Sequence, residues 1–152
     1  MSPQRLYRLA AVAEAITWTL LLIGMFAKYV TRTTDLGVSI AGALHGLVFL
    51  AFCAATVLVA VDQRWTARQM VLGLGAAIPP LLTIPFERWA DRRGLLGARW
   101  QLRESAPHGP AERLVAYAVS RPVAATAAIG LTVALAFVVL LAAGPPTALL
   151  DA

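Results

Sequence analysis

The sequence predicts an all-α, polytopic membrane protein: a compact bundle of four transmembrane helices. Three observations predict it. Of the 152 residues, 59% are hydrophobic and only 14% charged, against ~25% charged in ordinary soluble domains. A soluble domain of this size has no interior large enough for so much apolar surface, so lipid must cover part of it. Apolar runs of the ~20 residues that cross a bilayer as a helix recur along the chain. Arginines flank those runs, the pattern of charge-biased loops.

The first span is expected at about residues 9–29. Arg5 and Arg8 ahead of an apolar stretch resemble a secretory signal. Glu14 interrupts that stretch, however, and no small-x-small cleavage site follows, so a retained span is expected. At ~100° per residue, Glu14, Thr17, Leu21, Gly24 and Lys28 fall on one face, which reads as the protein-facing stripe. Lys28 and Tyr29 suit the membrane interface, where a lysine stem snorkels and a tyrosine anchors. The short polar loop 31–35 turns the chain back.

The second span, about residues 38–61, organises the rest. From Leu36 to Val61 there is no formally charged side chain and one histidine, His45. Ser39, Gly42, Ala43 and Gly46 give a small-residue face that permits close helix approach. Gly42 and Gly46 are the predicted packing positions, within one chain or at a homodimer seam.

The third span is expected at about 65–86. Gly73 and Gly75 loosen it, and Pro79, Pro80 and Pro85 interrupt it. Each proline removes a backbone donor and clashes with a preceding carbonyl, so a kinked or partly unwound helix facing the bundle interior is predicted. With the first two spans it makes a three-span core over residues 6–93.

Arginines 88, 92, 93, 99, 103, 113 and 121 follow, and residues 94–121 read as an Arg-rich loop in which Ala111–Ser120 forms a short amphipathic helix. The fourth span is expected at 122–143, closed by Gly144-Pro145-Pro146. Four crossings put both termini on one side. Nine basic residues (Lys28, Arg32 and the seven loop arginines) then oppose four (Arg5, Arg8, Arg64, Arg68). The positive-inside bias places the long loop in the cytoplasm and both termini outside a bacterial plasma membrane.

Depth decides which polar residues meet. At ~1.5 Å per residue, Glu14 is level with Arg68, and Lys28 is level with Glu87. Two ion pairs, Glu14–Arg68 and Lys28–Glu87, are expected to tie span one to span three. His45 is level with Pro79 and Pro80, and its imidazole is expected to donate to a carbonyl freed there. Intramembrane ionisable groups are costly and are functional candidates by default; they also serve as polar glue between helices. Both readings stand for Glu14 and His45.

Catalytic sets are absent from the pattern. A bis-histidine haem needs two facing imidazoles, and His108 sits in a Pro-flanked loop. Zinc ligands, a nucleophile–histidine set and a phosphate-cradling glycine loop are missing. Hence no enzyme activity, cofactor or metal is expected. The basic residues are not interleaved with exposed aromatics as a nucleic-acid surface requires. Cys53 is the lone cysteine, so no intrachain disulfide forms.

Short motifs occur in order: Ala13-Glu14-Ala15-Ile16-Thr17-Trp18, Ala27-Lys28-Tyr29, Gly42-Ala43-Leu44-His45-Gly46 and Ile84-Pro85-Phe86-Glu87-Arg88. Together they resemble the small integral membrane proteins of domain-of-unknown-function family 3817, YdzA-like proteins marked by a His-Gly dipeptide. The resemblance covers roughly Leu6 to Arg93. It implies a three-span plasma-membrane protein of uncharacterised function, with Glu14, Lys28, Tyr29, His45, Gly46, Pro85 and Phe86 as family-typical positions. The Ala-, Arg- and Gly-rich composition resembles that of an actinobacterial host. The expected role is a non-enzymatic accessory or scaffold subunit packing against a larger membrane partner or itself. The alternative is a small oligomeric transporter or proton-coupled channel using Glu14 and His45. A lipid-directed enzyme is the weakest reading, for want of a nucleophile.

Overall fold

The chain folds from its N-terminus on a helix start written in two residues. Ser2 caps the first turn, its Oγ accepting from the Arg5 N–H at 3.3 Å, and Pro3 occupies the first helical position, where a missing N–H costs nothing. Helix α1 then runs Pro3–Tyr29 and, after a turn at Thr31–Asp35, α2 returns antiparallel over Leu36–Asp62. The computed structural model describes residues 1–143, so Gly144-Pro145-Pro146 lies outside the described residues. All regular structure among them is helical: α3 (Ala67–Gly75), α4 (Thr83–Arg92), a 3-10 turn (Gln101–Arg103), α5 (Pro110–Ser120) and α6 (Pro122–Ala143). Three helices are long and apolar enough to cross a membrane, namely α1, α2 and α6.

The expected third span does not form as one helix of crossing length, so three such helices stand among the described residues where four were expected. A capping box of Thr66 and Gln69 starts α3, which ends after nine residues. The chain then reverses through Ala76–Leu82, and α4 comes back alongside α1. The contacts fix this direction. Trp18 meets Ala77, Glu14 meets Thr83, Arg8 meets Glu87 and Gln4 meets Asp91, so each step back along α1 is a step forward along α4. Residues 65–92 therefore enter and leave at the same end of the bundle as a re-entrant helical hairpin. Pro79 and Pro80 lack the donors that would continue α3, and Leu81 adopts a left-handed φ of 65°. Pro85 produces no kink, because it lies in the first turn of α4, where its absent N–H has no helical partner to lose.

An aromatic cluster holds this end together. Tyr7 is completely buried, with its ring 5.5 Å from Phe52, 5.7 Å from Trp65 and 6.3 Å from Phe86, separations typical of tilted and edge-on pairs. Trp65 also donates its indole N–H to Leu95 O at 2.8 Å, closing the hairpin's base. Gly94, at φ 68°, lets the chain turn away after α4. Beyond it, Asp62 accepts the backbone N–H groups of Gln101 and Leu102, each at 3.1 Å. This buried carboxylate at the end of α2 pins the Arg-rich segment to the bundle. Trp100 does the same for the N-terminus, donating to Met1 O at 2.8 Å.

The N-terminus and the Arg-rich segment thus share one end, which corrects the arrangement expected from four crossings. Helix α6 leaves from that end and runs antiparallel to α2, where Phe137 lies against Gly46. None of α6's apolar stretch is buried inside the bundle. Of the two glycines predicted to pack, Gly46 meets α6, while a Cβ at Gly42 would find only Leu21 Cδ1 at 3.8 Å. The tight α1–α2 crossing is elsewhere. A Cβ at Gly24 would sit 2.9 Å from the Gly37 carbonyl carbon.

Candidate functional site

The inner face of α1 carries Tyr7, Ala11, Glu14, Thr17 and Gly24, spaced three, four or seven residues apart, and all are buried. Glu14, Thr17 and Gly24 of the stripe read from sequence belong to this face; Leu21 and Lys28 are only half-buried, and Tyr7 and Ala11 extend it toward the N-terminus. Its polar members form a seam through the bundle, each with a partner on another helix. Thr56 on α2 bonds Phe52 O in its own helix at 2.9 Å and lies 3.5 Å from the Tyr7 hydroxyl. Glu14 accepts from the Thr83 hydroxyl at 2.6 Å. Thr17 donates to Glu14 O at 3.0 Å and lies 3.1 Å from His45 Nδ1. With the hydroxyl proton on that carbonyl, His45 satisfies the pair by donating from Nδ1, a neutral tautomer that leaves Nε2 as an acceptor. Trp18 packs against His45 in a tilted pair, with ring centres 4.4 Å apart, and its indole N–H reaches Ala77 O at 3.2 Å.

Glu14 is the exceptional member. It has no solvent exposure, and its Oε1 has no hydrogen-bond partner among the described residues. The predicted Glu14–Arg68 pair does not form; Arg68 is exposed at the start of α3. What faces the carboxyl instead is Thr83, the first residue of α4, so the positive end of that helix points at the acid. Buried polar atoms are nearly always paired, which makes Oε1 the atom of the seam that asks for an explanation.

The Lys28–Glu87 pair is corrected as well. Glu87 is 4% exposed and pairs with Arg8 at 2.8 Å, and Arg8 also reaches Asp91 at 3.4 Å. Lys28 and Tyr29 lie at the opposite end of the bundle. There Lys28 sits 3.6 Å from Asp35 and 5.5 Å from the centre of the exposed Tyr29 ring. The hairpin underlies both corrections: α4 rather than α3 packs on α1 and occupies the place beside Glu14, and its return sets Glu87 beside the start of α1, where a crossing helix would have set it beside the end. His45 is indeed level with the interruption, but the carbonyl freed there goes to Trp18, not to the imidazole. Sequence reasoning missed Thr56, Thr83 and Asp62 as partners. A hydroxyl on an apolar helix carries no signal of its own until the facing residue is known.

At the loop end, Arg64 and His108 converge on Glu112. The His108 backbone N–H donates to Glu112 Oε2 at 2.9 Å and Arg64 Nε to Oε1 at 3.2 Å. The His108 N–H first, then Arg64, holds this carboxyl below the usual carboxylate range. The Pro110 start of α5 is thereby tied to the α2–α3 junction. Val115 and Val119 of α5 are buried, while Leu114 and Tyr117 are exposed on its other face.

Three helices of crossing length, two of which enclose a buried polar seam together with α4, define a multi-pass membrane protein. Residues 4–92 match the family described as a domain of unknown function, DUF3817, and the chain belongs to that family. The match ends with α4, so α5 and α6 lie beyond it. A relative from Streptomyces coelicolor, named "Putative membrane protein", is 47% identical over 93 residues. That alignment takes in 60% of this chain and 11% of the relative. No solved structure matches the chain.

Proposed function

We propose that this protein is a non-enzymatic accessory subunit of the plasma membrane whose hairpin docks on a larger membrane protein. One observation carries the reading: the tip of the re-entrant hairpin. Ala77 is held by Trp18, ~22 Å from the start of α1 and ~16 Å from its end at 1.5 Å per residue, so the irregular stretch 76–82 lies near mid-depth. Ile78 is 70% exposed there, with Pro79, Pro80, Leu81 and Leu82 exposed beside it. The Leu81 N–H has no partner among the described residues. Irregular backbone at membrane depth persists only where protein or a water-filled cavity covers it. The Streptomyces relative supports a protein cover, since there the matched segment is 11% of a much longer chain.

The recounted charges support an orientation. With three crossings, Arg5, Arg8, Arg64, Arg68 and the seven arginines from 88 to 121 gather at one end, eleven of the thirteen basic residues. Lys28 and Arg32 are left at the other. The positive-inside bias then places the N-terminus and the Arg-rich segment in the cytoplasm.

The alternative, a small oligomeric transporter or proton-coupled channel, has the unpaired Glu14 Oε1 in its favour. Affinity purification of the tagged chain from native membranes in mild detergent separates the two. A stoichiometric larger membrane protein, cross-linking through a photoreactive residue at Ile78 but not at the exposed α1 positions Ile16 or Ile23, supports the subunit reading. A homo-oligomer without such a partner, whose reconstituted pH-dependent flux is lost in Glu14→Gln and His45→Gln, overturns it.

A further inference from the structure

At the arginine-rich end, beside the start of α1, a recess of about 320 Å³ opens between Ser2, Arg99, Trp100, Arg103 and Glu104. We propose that it binds the phosphate headgroup of an anionic phospholipid. Ser2 caps a helix of crossing length, so the recess opens at the level where headgroups lie. Arg103 is half-fixed: its Nε donates to Val119 O at 2.8 Å. The two terminal guanidinium nitrogens have no acceptor among the described residues, and the fork they make suits paired phosphate oxygens. Arg99 also lines the recess, with its side chain 83% exposed and a long 3.7 Å contact to Glu104, an arrangement that a phosphate displaces at little cost. Trp100, its indole N–H anchored on Met1 O, lines the recess with them. Three residues past the Val119 anchor, α6 begins with Pro122 and Val123 exposed, an apolar wall that acyl chains can follow into the bilayer. Basic recesses between membrane helices take acidic headgroups in this manner.

The full-length protein is reconstituted in phosphatidylcholine nanodiscs with and without phosphatidylglycerol, and bound lipid is read by native mass spectrometry and thermal denaturation. Phosphatidylglycerol is expected to stay bound and raise the melting temperature, with binding falling roughly fivefold in Arg99→Gln and again in Arg103→Gln. Arg32→Gln, at the opposite end, leaves it unchanged. Because Arg103 also holds Val119, Arg99→Gln alone decides the outcome if Arg103→Gln loses structure. Equal retention of phosphatidylcholine, or parental phosphatidylglycerol binding in Arg99→Gln, overturns the site. A full stabilisation by inorganic phosphate alone overturns the lipid assignment in favour of a free anion.

Discussion

The helix crossing at Gly24 gives a sharp prediction, because three glycines on the same helix pair meet different surroundings. A methyl at position 24 would lie 2.9 Å from Gly37 C and 3.0 Å from both Gly37 O and Val38 N. All three are backbone atoms and cannot rotate away, so α1 and α2 must part by several tenths of an ångström to regain ordinary carbon contacts of ~3.5 Å or more. Overpacking of this kind costs ~1–3 kcal/mol, offset by up to ~1 kcal/mol from alanine's better helix propensity. Gly24→Ala is therefore expected to destabilise by ~1–2 kcal/mol net, a 5- to 30-fold shift in the folded-to-unfolded ratio. Gly42→Ala meets only Leu21 Cδ1 at 3.8 Å, and a methyl at Gly37 meets only Gly24 Cα at 3.5 Å. Both are ordinary contacts, so these two variants are expected to be neutral or stabilised by up to ~1 kcal/mol. Unfolding in mixed detergent micelles, followed by circular dichroism, ranks the three. If Gly42→Ala proves the damaging change and Gly24→Ala is silent, the helix pair crosses at the motif and the packing described here is wrong.

Other predictions follow from the polar seam and the loop anchors. Thr83→Val removes the hydroxyl that Glu14 Oε2 accepts from, leaving a buried carboxyl with neither oxygen bonded. It is expected to cost ~1–3 kcal/mol in the same assay, and a loss below about 0.5 kcal/mol contradicts the pairing. Asp62→Ala frees the Gln101 and Leu102 amides, whose hydrogen exchange is expected to quicken while that of α1 stays slow; unchanged exchange at both amides rejects the anchor. Glu112 titrates below its ordinary value of 4.5 in the folded protein. Its contribution is thus complete above that value and lost as pH falls through the depressed one. Protection of the His108 amide is expected to fade over that acidic window, and a Glu112→Gln variant to show no such step. Protection that persists unaltered at lower pH in the parent chain argues against the contact.

The two long apolar helices and the terminal one are legible in the sequence, since a charge-free run of this length has few other uses. So is the protein-facing stripe of α1, because Glu14, Thr17 and Gly24 recur at helical spacing. The reversal at 76–82 is not legible, because hydropathy scores a hairpin of apolar residues just as it scores a crossing helix. Pro79-Pro80 announces an interruption but not whether the chain continues or returns. That single ambiguity propagates: it pairs Glu87 with Lys28 instead of Arg8, gives Glu14 the wrong partner and miscounts the charges at each end. The glycines show a related limit. Gly42 and Gly46 form the recognisable motif, yet the crossing point depends on the turn at 31–35 and falls at Gly24 and Gly37, whose spacing along the chain carries no mark.

Whether residues 65–92 return or cross decides the topology of the whole chain, and cysteine mapping distinguishes the two. In a Cys53→Ser background, single cysteines at Ser2, Thr33 and Gly109 are probed on intact cells with a membrane-impermeant thiol reagent, then again after permeabilisation. Three crossings with a returning hairpin predict that Thr33 alone is labelled on intact cells, with Ser2 and Gly109 becoming reactive together on permeabilisation. Labelling of Ser2 and Gly109 from opposite sides would mean that residues 65–92 cross the membrane and that α3 and α4 do not form a returning hairpin.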